Sequence, residues 1–304
     1  MQTRRRFLGT SLVTLASSSS LFAAEETAKP RLRKAVKIGM IKAEGFEEKF
    51  ALIKKLGFEG VEMDSPGCNE AQRAEAKAAA AKTGIVIHGV VISSHWSVRH
   101  SDPDPAVRAA AMKNLKGAID DAAFWGATTV LLVPGAVRDK DKENYEQVWE
   151  RSTEAVREAI PYAEKANVKI AIEVVWNNFI TKPDEMIRYV DQFESPWVGT
   201  YFDCSNMLRY GVPSAEWIRQ LGKRMLKFDF KGYSAAKATE ANPGAGFGVG
   251  IGEGDENWPE VLKALDETGY AERTGGWATS EVGGGGEAHL KDIAERMNKA
   301  LGLS

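Results

Sequence analysis

The sequence Lys169-Ile-Ala-Ile-Glu-Val-Val-Trp-Asn-Asn178 has the pattern of a buried parallel β-strand, because a short apolar run ends in a polar segment that contains asparagine. Side chains alternate between the two faces of a strand. If Ile170 and Ile172 face covering helices, Glu173 faces the opposite way, into the protein. A buried carboxylate is costly unless a metal ion or a charged partner compensates it. Glu173 is therefore a candidate site residue.

Three further apolar segments also carry an acidic residue at or near their ends. They are Val198–Asp203, Met225–Lys231 and Trp277–Glu281, and their acids are Asp203, Asp229 and Glu281. In the second segment the flanking phenylalanines face outward, so Asp229 shares the inward face with Lys227 and Lys231. Four acids at the ends of four strands predict one shared site.

Strand patterns and helix patterns alternate eight times along the chain. Gly57, Gly84 and Gly126 follow predicted helices, where glycine is a typical C-terminal cap. Eight strand–helix pairs predict an α/β fold, a (β/α)8 TIM barrel formed by a single domain. An open doubly wound sheet would need a glycine fingerprint after the first strand, which residues 39–45 lack. Barrel active sites form at the carboxyl ends of strands, where the four acids lie.

The first residues have the order of a cleavable export signal. Arg4 and Arg5 precede a weakly apolar run, which ends in the small residues Ala23 and Ala24. A twin arginine indicates the route for folded proteins, and hence a periplasmic or otherwise exported protein. The alternative is a basic tail without a role in export. The predicted parts of the chain are the signal at 1–24, a linker at 25–34 and the barrel domain at 35–304.

The charge balance argues against a nucleic-acid partner. The whole chain has 40 basic and 42 acidic side chains, and loss of the signal would remove three arginines and no acid, leaving a net charge of −5. Binding to nucleic acid needs a basic footprint instead. The signal is too short and too polar to span a membrane, so no membrane association is expected after cleavage. The sequence leaves open whether the protein forms a homo-oligomer.

Cys68 and Cys204 are the only cysteines in the chain. Each follows a predicted strand, on what would be different sides of a barrel. The geometry of a disulfide is demanding, so we expect two free thiols rather than a bond between them.

The segment from Gly232 to Asn257 is the longest stretch without a helix or strand pattern. Its glycines recur at every second position from 244 to 254. A loop of this length inside a compact domain is usually functional. It is predicted to be a lid or a ligand-binding edge that orders over bound substrate.

Four motifs give the chain a resemblance to the xylose-isomerase-like barrel superfamily, in its sugar isomerase and epimerase branch, over nearly the whole mature chain. The motifs are Ile172-Glu-Val-Val175, Asp203-Cys-Ser-Asn206, Gly252-Glu-Gly-Asp-Glu-Asn-Trp258 and Ser280-Glu-Val-Gly283. The resemblance implies one divalent metal ion, bound at the ends of strands five to eight. The implied ligands are Glu173, Asp203, Asp229 and Glu281.

The sequence departs from that family at two of these positions. Asp229 stands where the family places a histidine, so the ligand set becomes all carboxylate and should prefer Mn²⁺ or Mg²⁺ over Zn²⁺. Asn206 stands where the family's epimerases often carry a histidine that binds substrate. The sugar specificity of the family therefore does not transfer to this chain.

The resemblance implies a metal-dependent isomerase or epimerase that acts on a ketose or related sugar. An α-proton would leave to give an enediolate, with Glu173 and Glu281 as base and acid as well as metal ligands. One alternative is a lyase, a dehydratase or a deglycosidase that acts on a 3-keto sugar. Another is a sugar-binding barrel without catalytic activity. A DNA-repair nuclease of the same superfamily is the weakest alternative, because the basic face is missing.

Further side chains near the strand ends are candidates for contact with a small sugar substrate. They are Glu62, His88, Trp96, Trp176, Asn206 and Lys231. For the tryptophans, stacking on a sugar ring competes with packing under a loop. Lys231 could instead form an ion pair with Asp229. His88 could instead be a core residue whose ring is satisfied by neighbouring groups. His95 and His100 are expected to be solvated in a loop.

Overall fold

Eight parallel strands close into a barrel in chain order in the computed structural model, which describes residues 31–303. The last strand pairs with the first, where Arg33 lies opposite Trp277. The predicted (β/α)8 barrel is therefore confirmed. The strands β1 to β8 are Arg33–Lys37, Gly60–Ser65, Val86–Ile92, Thr129–Leu132, Lys169–Glu173, Val198–Asp203, Met225–Phe230 and Trp277–Ser280.

Helices alternate with these strands, and residues 31–303 contain nine of them. Helices α1 to α9 are Gly45–Lys55, Glu70–Thr83, Pro105–Trp125, Tyr145–Ala166, Pro183–Asp191, Ser214–Leu221, Trp258–Glu267, Tyr270–Thr274 and Glu287–Leu301. Local sequence fixes several of the helix ends. Asn69 and Asn144 form capping boxes at the starts of α2 and α4. Gly84 and Gly126 adopt the left-handed conformation that ends α2 and α3. No helix within the described range is long and apolar enough to cross a membrane.

Two details of the chain differ from the pattern in the sequence. Strand β1 begins at Arg33, so it includes the last two residues of the predicted linker, because they pair with β8. A proline inside a helix usually kinks or breaks it, yet α4 continues through Pro161 at the cost of one backbone hydrogen bond. The predicted signal at residues 1–24 lies outside the described residues.

The apolar core lies mainly between the strands and the helices around them. Phe228 and Phe230 face outward, as predicted, and their rings contact those of Tyr270 and Trp258. A smaller apolar cluster lies inside the barrel and includes Tyr201. The interior also holds several buried charged and polar side chains, which is where the site forms.

The two cysteines, Cys68 and Cys204, are both free thiols, as expected from the sequence.

His100 is buried, with only 2% of its surface exposed, so the expectation that it is solvated is wrong. Burial lowers the pKa of His100 to about 4, although Glu158 acts in the opposite direction. Between pH 6.5 and 4 the imidazole of His100 therefore takes up a proton more readily in the unfolded chain than in the folded protein. Stability must fall as the pH is lowered through this window, by up to about 3 kcal/mol.

We expect His100→Leu to flatten this acid-dependent loss of stability. The measurement is the urea midpoint of wild type and variant from pH 7 to pH 4. His289→Leu is the matched control, because His289 is exposed. Equal pH dependence in the wild type and His100→Leu would contradict the assignment.

Candidate active site

The four predicted acids come together at the carboxyl end of the barrel. Glu173 and Asp203 are the last residues of β5 and β6, Asp229 is in β7, and Glu281 follows β8 directly. Each offers one carboxylate oxygen, and these four oxygens all lie within 4.8 Å of one another. In the sheet register Asp203 is directly opposite Asp229, which explains part of this proximity. Three of the four residues are buried, and Glu281 is partly exposed.

Lys231 connects two of these acids. Its Nζ lies 2.5 Å from Asp203 Oδ2 and also contacts Glu281 Oε2. The other oxygen of Asp203 accepts hydrogen bonds from the backbone N–H groups of Ser205 and Asn206, at 2.7 and 2.8 Å. Burial opposes the charge of Lys231, but the two carboxylates raise its pKa. The predicted alternative of a pair with Asp229 is thus replaced by pairs with Asp203 and Glu281.

A second lysine, Lys37 at the end of β1, compensates Asp229. Its Nζ lies 2.7 Å from Glu62 Oε2 and 3.0 Å from Asp229 Oδ2. These contacts are ion pairs, and Lys37 Nζ has no hydrogen-bond partner among the described residues. The hydroxyl of Tyr201 also donates to Glu62 Oε2, at 3.0 Å. Burial opposes the charge on Lys37, but Glu62 and the other neighbouring anions raise its pKa well above the usual value.

Glu173 and Glu281 have opposite electrostatic surroundings. Burial raises the pKa of Glu173 well above its usual value, and the carboxylates of Asp229 and Glu281 add to this effect. Burial also opposes ionisation of Glu281, but Lys37 and Lys231 outweigh it and lower its pKa to about 2. Without a bound cation, the surroundings therefore favour the protonated form of Glu173 and the ionised form of Glu281.

Two of the four acids, Glu173 and Glu281, open onto a cavity of about 530 Å³. Its wall includes Glu173 and Glu281 together with four predicted substrate contacts: Trp96, Trp176, Asn206 and Lys231. A cavity of this size, with aromatic walls and a few convergent polar groups, is typical of a small-molecule site. The structure therefore places four of the six predicted contacts around one space.

A known family model, described as Xylose isomerase-like TIM barrel, matches residues 50–300 of this chain. The chain belongs to this xylose isomerase-like family.

Relatives within this xylose isomerase-like group include a putative L-ribulose-5-phosphate 3-epimerase of Escherichia coli K12. It is 26% identical over 232 residues, which cover 73% of this chain and 80% of that protein. A solved D-psicose 3-epimerase of Clostridium cellulolyticum H10, with D-tagatose, has a TM-score of 0.69 at 21% identity and covers 90% of this chain and 98% of its own. A solved 3-keto-D-glucoside 4-epimerase of E. coli has a TM-score of 0.73 at 14% identity. The match covers 89% of this chain and 99% of that protein.

Two of the predicted substrate contacts of this xylose isomerase-like barrel, His88 and Glu62, do not line the cavity. His88 is 2% exposed and lies deeper in the barrel, where its ring stacks on Trp277 at 4.7 Å between centroids. Its ring nitrogens are 3.3 Å from Lys227 Nζ and from Thr279 Oγ1. Glu62 is fully buried and pairs with Lys37, which also contacts Asp229. Both residues are buried in the barrel interior, and their contact with substrate stays a prediction.

Sequence reasoning missed three residues of this site. Lys37 is at an inward position of an apolar strand, a signal that could have identified it. His95 was expected to be solvated, yet it lines the cavity, and burial lowers its pKa to about 4. Phe247 comes from the long glycine-rich loop, and no local pattern marks it as a wall of the cavity.

The long segment from Gly232 to Asn257 packs against this site through its own contacts. It contains a 3-10 helix at Pro243–Phe247, and the ring of Phe247 lies 4.8 Å from that of Trp176. The buried carboxylate of Glu256 accepts hydrogen bonds from Ser205 Oγ and the Tyr233 N–H, at 2.9 and 2.6 Å. Phe247 therefore places this segment in the cavity wall, and both its binding of a ligand and its closure over substrate stay predictions.

Proposed function

We propose that this protein is a metal-dependent epimerase or isomerase of a ketose or related sugar. The observation that carries the proposal is the set of four carboxylates, within 4.8 Å of one another, at one end of a cavity that also has two tryptophans in its wall. Carboxylates and a bound cation suit proton transfer next to a carbonyl, and the indole rings suit the apolar face of a sugar.

The donor set fits a hard divalent cation. Asp229 is fully buried, and its Oδ1 has no hydrogen-bond partner among the described residues. The Glu173 carboxylate likewise accepts no hydrogen bond within residues 31–303, and the ion pair with Lys37 compensates Asp229 only through Oδ2. Glu173, Asp203, Asp229 and Glu281 would hold the ion, and oxygen donors alone favour Mn²⁺ or Mg²⁺ over Zn²⁺. A bound divalent ion would polarise a sugar carbonyl as a Lewis acid.

The proton-transfer groups in this proposal are Glu173 and Glu281. They extend from β5 and β8, three strands apart in the closed sheet, and both line the same cavity. One can remove a proton from a substrate carbon while the other returns a proton from a different direction, as inversion at carbon requires. Lys231 pairs with Glu281 and lines the same cavity, so it would hold this carboxylate in place beside the substrate.

The relatives support this assignment of reaction class. The curated relative and both solved structures described above carry names of sugar epimerases, which act at carbon 3 or carbon 4. Their named substrates differ from one another: a pentulose phosphate, a free ketohexose and an oxidised glucoside. The named proteins thus share a class of reaction but differ in their sugars. We therefore propose the reaction class from them and infer the kind of sugar from the cavity of this chain.

The test is proton exchange in D₂O. Protein purified without chelator is analysed for metal and then incubated with a panel of ketoses, while NMR follows loss of the proton next to the carbonyl. We expect exchange and the formation of an epimer or isomer, both abolished by chelation. Binding without exchange would contradict an enzyme and favour a sugar-binding barrel, and an unsaturated product would favour a lyase or dehydratase.

Asp229 is expected to set the preference for metal. In Asp229→His an imidazole replaces the carboxylate, and nitrogen donors favour softer ions such as zinc. Competition binding should then show zinc gaining on manganese by about tenfold or more. Asp64→Asn is the control, because Asp64 is a nearby inward acid outside the set of four. An unchanged ratio of zinc to manganese would remove Asp229 from the ligand set.

We also propose that the protein is exported through the twin-arginine route. The support is the Arg4-Arg5 pair followed by a weakly apolar run. Replacing both arginines with lysine should leave the uncleaved precursor in the cytoplasm, which fractionation and immunoblotting would detect. Normal export of the double variant would contradict this route.

A further inference from the structure

A second cavity, of about 500 Å³, adjoins the first at the acids. It lies between the end of the long loop, the segment after β8 and helix α9. Lys231, Phe247 and Glu281 line both cavities, so these three side chains form the boundary between them. We call the first cavity the tryptophan chamber and the second the α9 chamber. A substrate atom near Glu281 is therefore accessible from two spaces of similar size.

The α9 chamber has a net negative charge. Three carboxylates line it, those of Glu253, Glu281 and Asp292. Only two basic side chains, Lys231 and Arg296, line it with them. Both cations are already paired. Arg296 lies 2.6 Å from Glu253 Oε1 and 2.8 Å from Asp292 Oδ2. Apart from the divalent ion proposed at Glu281, a phosphate in this chamber would meet carboxylates and cations that are already paired, which makes the chamber unfavourable for a phosphorylated group.

The remaining wall of the α9 chamber suits a neutral carbohydrate. Phe247, Val249 and Val282 provide an apolar side, and a ring face with C–H groups packs on such surfaces. Asp292 and His289 provide polar atoms for hydroxyl groups. A single hexose needs only one of two chambers that are each within the usual size of a ligand site, about 300–1,000 Å³.

We propose that the α9 chamber binds a second, uncharged sugar unit, so that the substrate is a disaccharide or another glycoside and not a sugar phosphate. This inference rests on the proposed function, because the unit that reacts lies in the tryptophan chamber beside Glu173 and Glu281. The linkage between the two units would pass the boundary at Phe247. Arg138 and Arg209, which stack on Trp96 and Trp176 at 5.7 and 4.5 Å, line neither chamber.

Gly283 offers a way to fill the α9 chamber without disturbing the fold. It lines this chamber and not the other, and a Cβ built there has no atom within 4 Å. Gly286, three residues later, has equally open surroundings but lines neither chamber. Gly283→Leu and Gly286→Leu are therefore a matched pair of test and control.

The experiment compares probes that share one ketose. They are fructose, fructose 6-phosphate and three disaccharides that contain fructose: isomaltulose, lactulose and turanose. Exchange in D₂O gives kcat/KM, and calorimetry gives binding separately. We expect at least one disaccharide to exceed both fructose and its phosphate by at least about tenfold in kcat/KM. Gly283→Leu should remove that advantage and leave fructose unchanged, while Gly286→Leu should behave as wild type.

The possible failures can be told apart. Exchange into fructose or its phosphate that equals or exceeds exchange into every disaccharide would overturn the inference and leave the proposed function standing. The same holds if Gly283→Leu lowers all probes equally or none. Exchange into none of these probes and into no ketose of the wider panel would contradict the proposed function. Calorimetry would then test the chamber by itself, since tighter binding of a disaccharide that Gly283→Leu abolishes would still support it, and equal binding of all probes would overturn it.

Discussion

Replacing Glu173 or Glu281 with glutamine is expected to lower turnover by about 10²–10⁴-fold, the usual contribution of a general acid or base. Glutamine has the same shape and keeps an oxygen that can coordinate a cation, but it cannot take up a proton. Metal content should therefore fall much less than turnover. Parallel measurements of kcat on the best sugar of the panel and of bound metal by mass spectrometry separate the two roles.

The two variants should also differ from each other in isotope exchange. If each glutamate serves one direction of approach to the substrate, one variant can still remove a proton from one epimer and return deuterium to the same side. Deuterium would then enter that epimer without net epimerisation. Near-normal turnover in both variants, with metal bound, would make these residues ligands only. The base would then have to be Lys231 or His95, the other titratable side chains in the tryptophan chamber.

The fold and the four acids were predictable because both depend on local pattern. Period-two alternation in apolar strands identified Glu173 and Asp229 as inward, and the order of strands and helices identified the barrel. The barrel brings the ends of its strands together whatever their separation in sequence. Inward acids near those ends must therefore become neighbours, as the distance of 4.8 Å among the four carboxylates shows.

The partners of these acids were not predictable, because they depend on depth and on contacts across the barrel. His88 has the same inward alternation as the site residues but lies deeper in its strand, beside Lys227. Lys37 reaches Asp229 from β1, a strand that does not neighbour β7 in the sheet. Phe247 reaches the site from a loop without periodicity. Strand pattern gives the side of the sheet, while register and loop packing give the neighbour.

Lys37→Met is expected to lower the free energy of unfolding by about 3–5 kcal/mol, the usual result when one partner of a buried ion pair is removed. Lys37 is 8% exposed, and its partners Glu62 and Asp229 are both fully buried. Without the ammonium group, both carboxylates would remain in a low-dielectric interior with one compensating charge fewer. The measurement is urea unfolding at neutral pH with chelator present, so that no added metal replaces the missing charge.

The chain provides a matched comparison for this effect in a second lysine–glutamate pair. Lys55 Nζ lies 2.6 Å from Glu287 Oε1, as close as Lys37 is to Glu62, but its side chain is 65% exposed. Solvent screens such a pair, so Lys55→Met should cost only about 0–1 kcal/mol. Adding Glu62→Gln to Lys37→Met should recover part of the loss, because one stranded carboxylate is then neutral. Equal costs for the two lysines, or a double variant less stable than Lys37→Met alone, would show that the buried charges are not what Lys37 compensates.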